Sequence, residues 1–243
     1  ADGKPAWTFP TAGHGAVNMV PASAQGRVLF GAEDGTFWCL DLVEGHELWR
    51  VETGGILGWT NPVVVKDRVV FADRGGTQQG GGDDNADDVK GSRRGELRCL
   101  SLEDGKELWH AAFDMTGFST PGVGPGYVVG GFGRQVARFD LAKGKISERV
   151  ATGTNAFGSP TVVGDSLVFG NLDGNLYVHD LENADLRWRF HLAEGQQALD
   201  FVHGGDRIYL STTVGLYCLG DGGSNRKAKK GFVLEAGAPP PAR

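Results

Sequence analysis

Phe37-Trp38-Cys39-Leu40-Asp41 is followed four residues on by Gly45-His46-Glu47-Leu48-Trp49, and this pair of segments decides the fold because it recurs. Leu97-Arg98-Cys99-Leu100-Ser101 stands at the same distance from Gly105-Lys106-Glu107-Leu108-Trp109. Val136-Ala137-Arg138-Phe139-Asp140 precedes Gly144-Lys145-Ile146-Ser147-Glu148, and Leu176-Tyr177-Val178-His179-Asp180 precedes Ala184-Asp185-Leu186-Arg187-Trp188. Leu216-Tyr217-Cys218-Leu219-Gly220 is a fifth copy of the first half, with no Gly-x-x-x-Trp half close behind it. Trp7 to Trp49 spans 42 residues, Trp109 to Glu148 spans 39 and Glu148 to Trp188 spans 40, whereas Trp49 to Trp109 spans 60. The second repeat therefore carries an insertion, at 75–93.

Each unit reads as four short strands. The first follows a proline at Pro21, Pro62, Pro121 and Pro160. The second is β-branched or aromatic, as in Arg68-Val69-Val70-Phe71 and Arg207-Ile208-Tyr209-Leu210, the ordinary strand signature when bounded by Gly and Asp. Asp34-Gly35 and Asp173-Gly174 then read as hairpin turns, since glycine supplies the positive φ that tight hairpins need. The turn at Glu103-Asp104-Gly105 leads to the fourth, Trp-bearing strand. A four-stranded unit about every 40 residues is the period of a propeller blade.

The expected fold is all-β, a single propeller of four-stranded antiparallel blades over residues 1–222. Its repeats run at about 14–55, 56–117, 118–155, 156–196 and 197–222, and residues 2–9 supply a strand. The fifth repeat lacks a Trp-bearing strand, and Asp2–Phe9 is such a strand without a blade. Five blades closed by the N-terminal strand therefore satisfy the count and remove an exposed sheet edge. Two alternatives fit as well: Gly231-Phe232-Val233-Leu234 could be the fifth blade's own outer strand, or the chain could belong to a larger ring. Residues 223–243 read as a flexible Gly/Pro/basic tail.

The repeated pattern, aromatic or Leu-Tyr-Cys/Ala-Leu-Asp and then Gly-Lys-x-Leu-Trp, resembles the PQQ-like β-propeller repeat over about residues 1–220. That family includes quinoprotein alcohol dehydrogenases, the outer-membrane assembly lipoprotein BamB and sensor domains of bacterial kinases. The resemblance implies that Trp7, Trp49, Trp109 and Trp188 dock between neighbouring blades as scaffold, and that the joint carrying Glu148 instead is the weakest. It also implies a periplasmic or extracellular location. A buried Trp covers ~200 Å², on the order of 5 kcal/mol of apolar burial before entropy is subtracted.

Composition narrows the function. The net charge of −6 and a single dense basic run, Arg226-Lys227-Ala228-Lys229-Lys230, argue against a nucleic-acid partner. No stretch has the apolar length of a membrane helix. The chain opens at Ala1 rather than Met, so the lack of a leader says nothing about compartment. Cys39, Cys99 and Cys218 hold one place in three repeats, too far apart in a ring for disulfides, and are expected to be free, buried core residues. The six histidines show no metal-ligand spacing, and His179 reads as core. Neither a Gly-x-Ser-x-Gly elbow nor a phosphate loop is present. Quinoprotein dehydrogenases resemble larger, eight-bladed rings with adjacent paired cysteines over the cofactor, and this chain has neither feature. No cofactor is expected. The acidic insertion, with Asp83, Asp84, Asp87 and Asp88, offers oxygen donors for Ca²⁺ without EF-hand spacing and reads as a polar loop.

The candidate site comes from repeat arithmetic. An aromatic stands three residues before each of three strand-opening prolines: Trp59, Phe118 and Phe157. Asn61, Thr120 and Ser159 are their polar neighbours, and the first and fifth blades carry Asn18 and Ala198 at the aromatic position. These residues are expected to ring the mouth of the central channel, where aromatic and polar groups suit a protein or peptide partner. A small ligand or carbohydrate is the second class that would use the same mouth. The alternative reading of the aromatics is that they cap the core between blades.

Overall fold

The computed structural model describes residues 3–58, 60–73, 95–113, 119–152, 156–193, 196–204 and 207–220, without the side chains of Phe157 and Leu199. The insertion at 75–93 and the tail at 223–243 lie outside these residues. So do Trp59, Phe118 and the side chain of Phe157.

The described chain is all strand and turn, in five antiparallel sheets. The first holds β1 (Ala22–Ala24), β2 (Arg27–Gly31), β3 (Thr36–Asp41) and β4 (Glu47–Glu52). The second holds β5 (Val63–Val65), β6 (Arg68–Asp73), β7 (Glu96–Ser101) and β8 (Glu107–Ala112). The third holds β9 (Gly122–Gly124), β10 (Tyr127–Phe132), β11 (Gln135–Asp140) and β12 (Ile146–Ala151). The fourth holds β13 (Ala156–Val163), β14 (Ser166–Asn171), β15 (Asn175–Asp180) and β16 (Leu186–His191). The fifth holds β17 (Ala198–Gly204), β18 (Arg207–Thr212) and β19 (Gly215–Gly220). In every sheet the strands lie side by side in chain order. The first strands are innermost: β1 touches β5, β5 touches β9, and β13 touches both β9 and β17.

Sheets stacked around an axis are covered on both faces, which explains the unbroken apolar run Phe37-Trp38-Cys39-Leu40, buried throughout. The back of one sheet and the front of the next form one core. Leu29, Phe37, Cys39 and Trp49 pack with Val69, Phe71, Leu100 and Leu102, and Phe37 stacks flat on Phe71 with centroids 4.0 Å apart. Val70, Leu97, Cys99 and Trp109 pack with Val128, Phe132 and Phe139. Val129 and Val136 meet Leu167 and Phe169, and Val168, Leu176 and Val178 meet Phe201, Leu210 and Leu219.

A recurring bulge follows the third strand's midpoint, between Cys39 and Leu40, Cys99 and Leu100, Arg138 and Phe139, and Val178 and His179. It delivers the chain into a tight turn closed by Gly45 N–H donating to Asp41 O. The Asp41 carboxylate accepts from the amides of Val43 and Glu44. The Asp180 carboxylate does the same in its repeat, and the Asp140 carboxylate accepts from the Lys143 amide.

Closure by the N-terminal strand, expected from the count, does not occur in the structure. The fifth sheet ends at β19, which pairs only with β18 among the described residues. Trp7 and Phe9 lie at the other end of the arc, against Phe30, Trp38 and Leu40 on the front of the first sheet. Trp7 does find on the first blade the seat that Trp49 and Trp109 find on the blades after their own. What is missing among the described residues is the pairing with β19, and the segment bends at Gly3 (φ +77°) and Ala6 instead of running as a strand.

Candidate functional site

That seat has three parts. The backbone N–H of the Leu after each turn-opening residue is tied into its own blade, with Leu42 donating to Gly26 O, Leu102 to Asp67 O and Leu141 to Gly126 O. Its carbonyl is thereby turned toward the preceding blade. Trp7 Nε1 donates to Leu42 O at 3.2 Å, Trp49 Nε1 to Leu102 O at 3.1 Å and Trp109 Nε1 to Leu141 O at 2.8 Å. The indole then covers the turn glycine. A Cβ on Gly45, Gly105 or Gly144 would come within 2.3, 2.6 or 2.5 Å of Trp7, Trp49 or Trp109. These glycines also have φ near +70°, so an L side chain is excluded twice over. The docking role inferred for Trp7, Trp49 and Trp109 matches this geometry.

The joint after the third blade is built differently. Glu148 pairs with Arg138, opposite it on β11, at 2.8 Å. Arg138 Nη1 donates to Leu181 O at 2.9 Å, taking the place of the indole N–H. No indole covers the next turn, and Ala184 stands there at φ +60° in place of glycine.

The three polar candidates make hydrogen bonds between blades. Val20 N–H donates to Asn61 Oδ1 at 2.9 Å, and Asn61 N–H donates to Thr120 Oγ1 at 2.9 Å. Ser159 N–H donates to Asp200 Oδ1 at 3.4 Å. Val20, Asn61, Thr120 and Ser159 each precede a strand-opening proline, which holds them extended. Asp200 occupies the same place before Phe201. It was missed in the sequence because the fifth repeat lacks the proline marker, although Ala198 at the aromatic position already set the register. The structure thus brings Asn61 and Thr120 together at the joint of the second and third sheets and puts Ser159 at the joint of the fourth and fifth. The three aromatic candidates lie outside the described residues.

Two further clusters escaped the sequence reading. His14 Nδ1 meets Asp34 Oδ2 at 2.6 Å, and the Thr36 hydroxyl donates to the same oxygen at 3.0 Å. The His14 imidazole stands edge-on to Trp38 at 5.0 Å. Burial pulls the Asp34 carboxyl upward, but the Thr36 amide, His14 and the Thr36 hydroxyl outweigh it and hold the group below the usual carboxylate range. A Thr-His-Asp relay would place the imidazole between hydroxyl and carboxylate. Here both donors converge on the carboxylate, so the arrangement is a clasp between the entry loop and the β2–β3 turn.

The second cluster lies where the insertion leaves β6. Asp73 is fully buried and pairs with Arg98 at 3.1 Å. Arg98 also meets Glu96 and Glu107 and donates to Thr53 O across the joint. Burial would weaken the Arg98 charge, and Asp73, Glu96 and Glu107 together more than restore it. The cluster pins both ends of the insertion to the blade, with Glu96 N–H donating to Asp73 Oδ1 at 3.2 Å.

Cys39 and Cys99 are free and buried, and burial pushes each thiol up to about 11. Cys218 is exposed, against expectation, because nothing among the described residues covers the back of the fifth sheet. His179 is core, as expected: it is buried, stacks on Phe169 at 5.3 Å and meets Ala184 O at 2.8 Å. Among the described residues, no group of three or more His, Cys, Asp or Glu side chains is arranged to hold a metal ion.

Residues 1–81 and 85–228 match the family model of the outer membrane protein assembly factor BamB, a PQQ-repeat family. The chain belongs to that family. No functionally curated protein matches it. The crystal structure of BamB from Moraxella catarrhalis superposes with a TM-score of 0.66 at 12% identity, over 83% of this chain and 57% of that one. The computationally designed Ika8 protein superposes with a TM-score of 0.66 at 14% identity, over 82% of this chain and 57% of that one. At such identities these likenesses show the fold, and the chain spans little more than half the length of either structure. Among the described residues, no helix is long and apolar enough to cross a membrane.

Proposed function

We propose that the chain is a non-catalytic, protein-binding scaffold that works outside the cytoplasm and receives a peptide or protein segment at the channel mouth. The observation that carries this reading is the belt of inter-blade hydrogen bonds through Val20, Asn61 and Thr120. Polar groups that a small-molecule site would point at its ligand are here spent on holding the blades in register. What the belt supports is a rigid rim, and the aromatics two residues before its polar members in sequence, Trp59, Phe118 and Phe157, are the apolar anchors of this reading. Rigid aromatic anchors on a preformed surface suit a protein partner, because little freedom is lost on binding. The membership of a family described by an outer membrane assembly factor supports the extracytoplasmic placement.

The test has three arms, read by calorimetry on the full chain: a panel of extended peptides, a panel of oligosaccharides, and PQQ with Ca²⁺ followed by dye reduction. The expected result is peptide binding that is weakened at least tenfold, about 1.4 kcal/mol, in the Trp59→Ala/Phe118→Ala/Phe157→Ala variant. Saccharide binding lost in that variant would instead make the mouth a lectin site. Dye reduction with PQQ would make the chain an enzyme.

A further inference from the structure

The joint between the third and fourth sheets is fastened on its inner side and latched at its rim. On the inner side the two backbones come so close that a Cβ on Gly122 would collide with the Pro160 carbonyl oxygen, and one on Gly131 would stand 3.1 Å from the Cβ of Ala156. Ala156 N–H donates to Gly133 O at 2.7 Å, and Asn171 Nδ2 donates to Thr152 O at 3.0 Å, both across the joint. β13 accordingly lies against β9, β10 and β11, whereas the close approaches at the first two joints are those of β1 to β5 and of β5 to β9.

The rim is held differently. Trp49 and Trp109 close the first two joints and are buried. Glu148 and Arg138 close this one and are both partly exposed. Arg138 alone reaches across: its Nη1 donates to Leu181 O at 2.9 Å, while the guanidinium lies 5.5 Å from the centroid of the Tyr127 ring on its own sheet. The core behind this latch is thin. It consists of Val129, Val136, Val150, Leu167 and Phe169, with Val136 where the first two sheets carry Phe37 and Leu97. The turn under the latch holds Ala184 at φ +60°, a conformation that costs an L residue energy in the closed form. A partly exposed ion pair contributes little and is screened by salt, whereas an indole in its seat removes a large apolar area from water.

We propose that this joint is a hinge. The first three sheets and the last two part at the rim, swinging about the inner contacts of β13, and the Arg138–Glu148 latch sets how often they do so. Opening breaks the bond to Leu181 O and lets water reach Val136, Val150 and Phe169. Every strand pairing within the sheets survives it, so the opening is local and costs less than unfolding the chain. The first two joints, each closed by an indole, stay shut.

The test places a thiol in the thin core, Val136→Cys in a full chain carrying Cys218→Ser, and reads its labelling under native conditions. Val136 is fully buried. Cys39 and Cys99, buried in the first two joints, are the internal standards. The introduced thiol should label at least about tenfold faster than either. Low urea should hardly change its rate, because a rim opening exposes little surface. Raising the salt from millimolar to molar should increase the rate about threefold. Arg138→Met should increase it about tenfold and abolish the salt response. Val150→Cys reports on the same core and replaces Val136→Cys if that variant does not fold. Labelling no faster than that of Cys39 and Cys99, or climbing with urea as steeply as theirs, would mean that the joint opens only with the whole chain and would overturn the proposal. So would a rate that neither salt nor Arg138→Met changes.

Discussion

The indole of Trp109 lies across Gly144 so closely that a Cβ on the glycine would stand 2.5 Å from it. Each residue thus excludes alternatives to the other. Trp109→Ala removes a large buried side chain, at a cost of about 3–5 kcal/mol. For a domain of this size that lowers Tm by roughly 6–20 °C. A shift under about 2 °C in a thermal melt would contradict the docking role.

The same contact makes the pair non-additive. Gly144→Ala should destabilise the native chain through both the clash and the φ of +67°. In a Trp109→Ala background only the backbone part remains, about 1 kcal/mol. Urea unfolding of the double-mutant cycle should return a coupling above about 1 kcal/mol. Additive effects would mean that the indole does not occupy this seat.

Arg138 should matter more than an ordinary surface arginine. It carries both the ion pair to Glu148 and the bond to Leu181 O. Arg138→Met keeps the stem but leaves that carbonyl and a half-buried carboxylate without it, for about 1–3 kcal/mol. Glu148→Gln should cost less, because the bond to Leu181 O survives. Equal losses in denaturant titrations would assign the joint to the ion pair alone.

Thiol labelling separates the three cysteines. In dilute protein at mildly alkaline pH, Cys218 should react rapidly, while Cys39 and Cys99, buried and titrating at about 11, should stay silent. All three should react in denaturant. Fast labelling of more than one thiol in the native chain would contradict the packing of the first two joints.

Acid should dismantle a defined surface cluster. Arg187 meets Asp165 at 2.6 Å and Asp180 at 2.5 Å, and its hydrogen bonds hold the Asp165 carboxyl down at about 2. The Asp180 carboxyl is lowered too, by Arg187 and by the amides of Asn183 and Glu182. Carboxylates depressed in the folded state contribute fully above their unfolded value, near ~3.9, and lose that contribution as pH falls through the folded value. The Tm difference between the native chain and Arg187→Gln should be constant above about pH 5 and vanish toward about pH 2. A difference that persists at the acid end would show that the cluster does not titrate as a unit.

The sequence by itself determined the blade. Its strands, its Asp-x-x-x-Gly turns and its docking tryptophans are local patterns, repeated often enough that chance spacing cannot produce them. Even the odd joint was written there, since Glu148 in one repeat and Ala184 in the next depart from the pattern together. Only the tertiary structure decided what each end of the chain meets. By count, the segment carrying Trp7 completes the fifth blade. In the structure Trp7 takes the seat made by the Leu42 carbonyl and the bare Gly45, residues far from it in sequence, while its segment leaves β19 unpaired among the described residues. For the same reason Cys218, identical in context to Cys39 and Cys99, is exposed: burial belongs to the neighbour that covers a face and not to the strand that carries it. The residues before the strand-opening prolines show the same division. Repeat arithmetic gave Asn61, Thr120 and Ser159 equivalent places, and the packing of the sheets decided that Asn61 bonds to Thr120 while Ser159 bonds to Asp200.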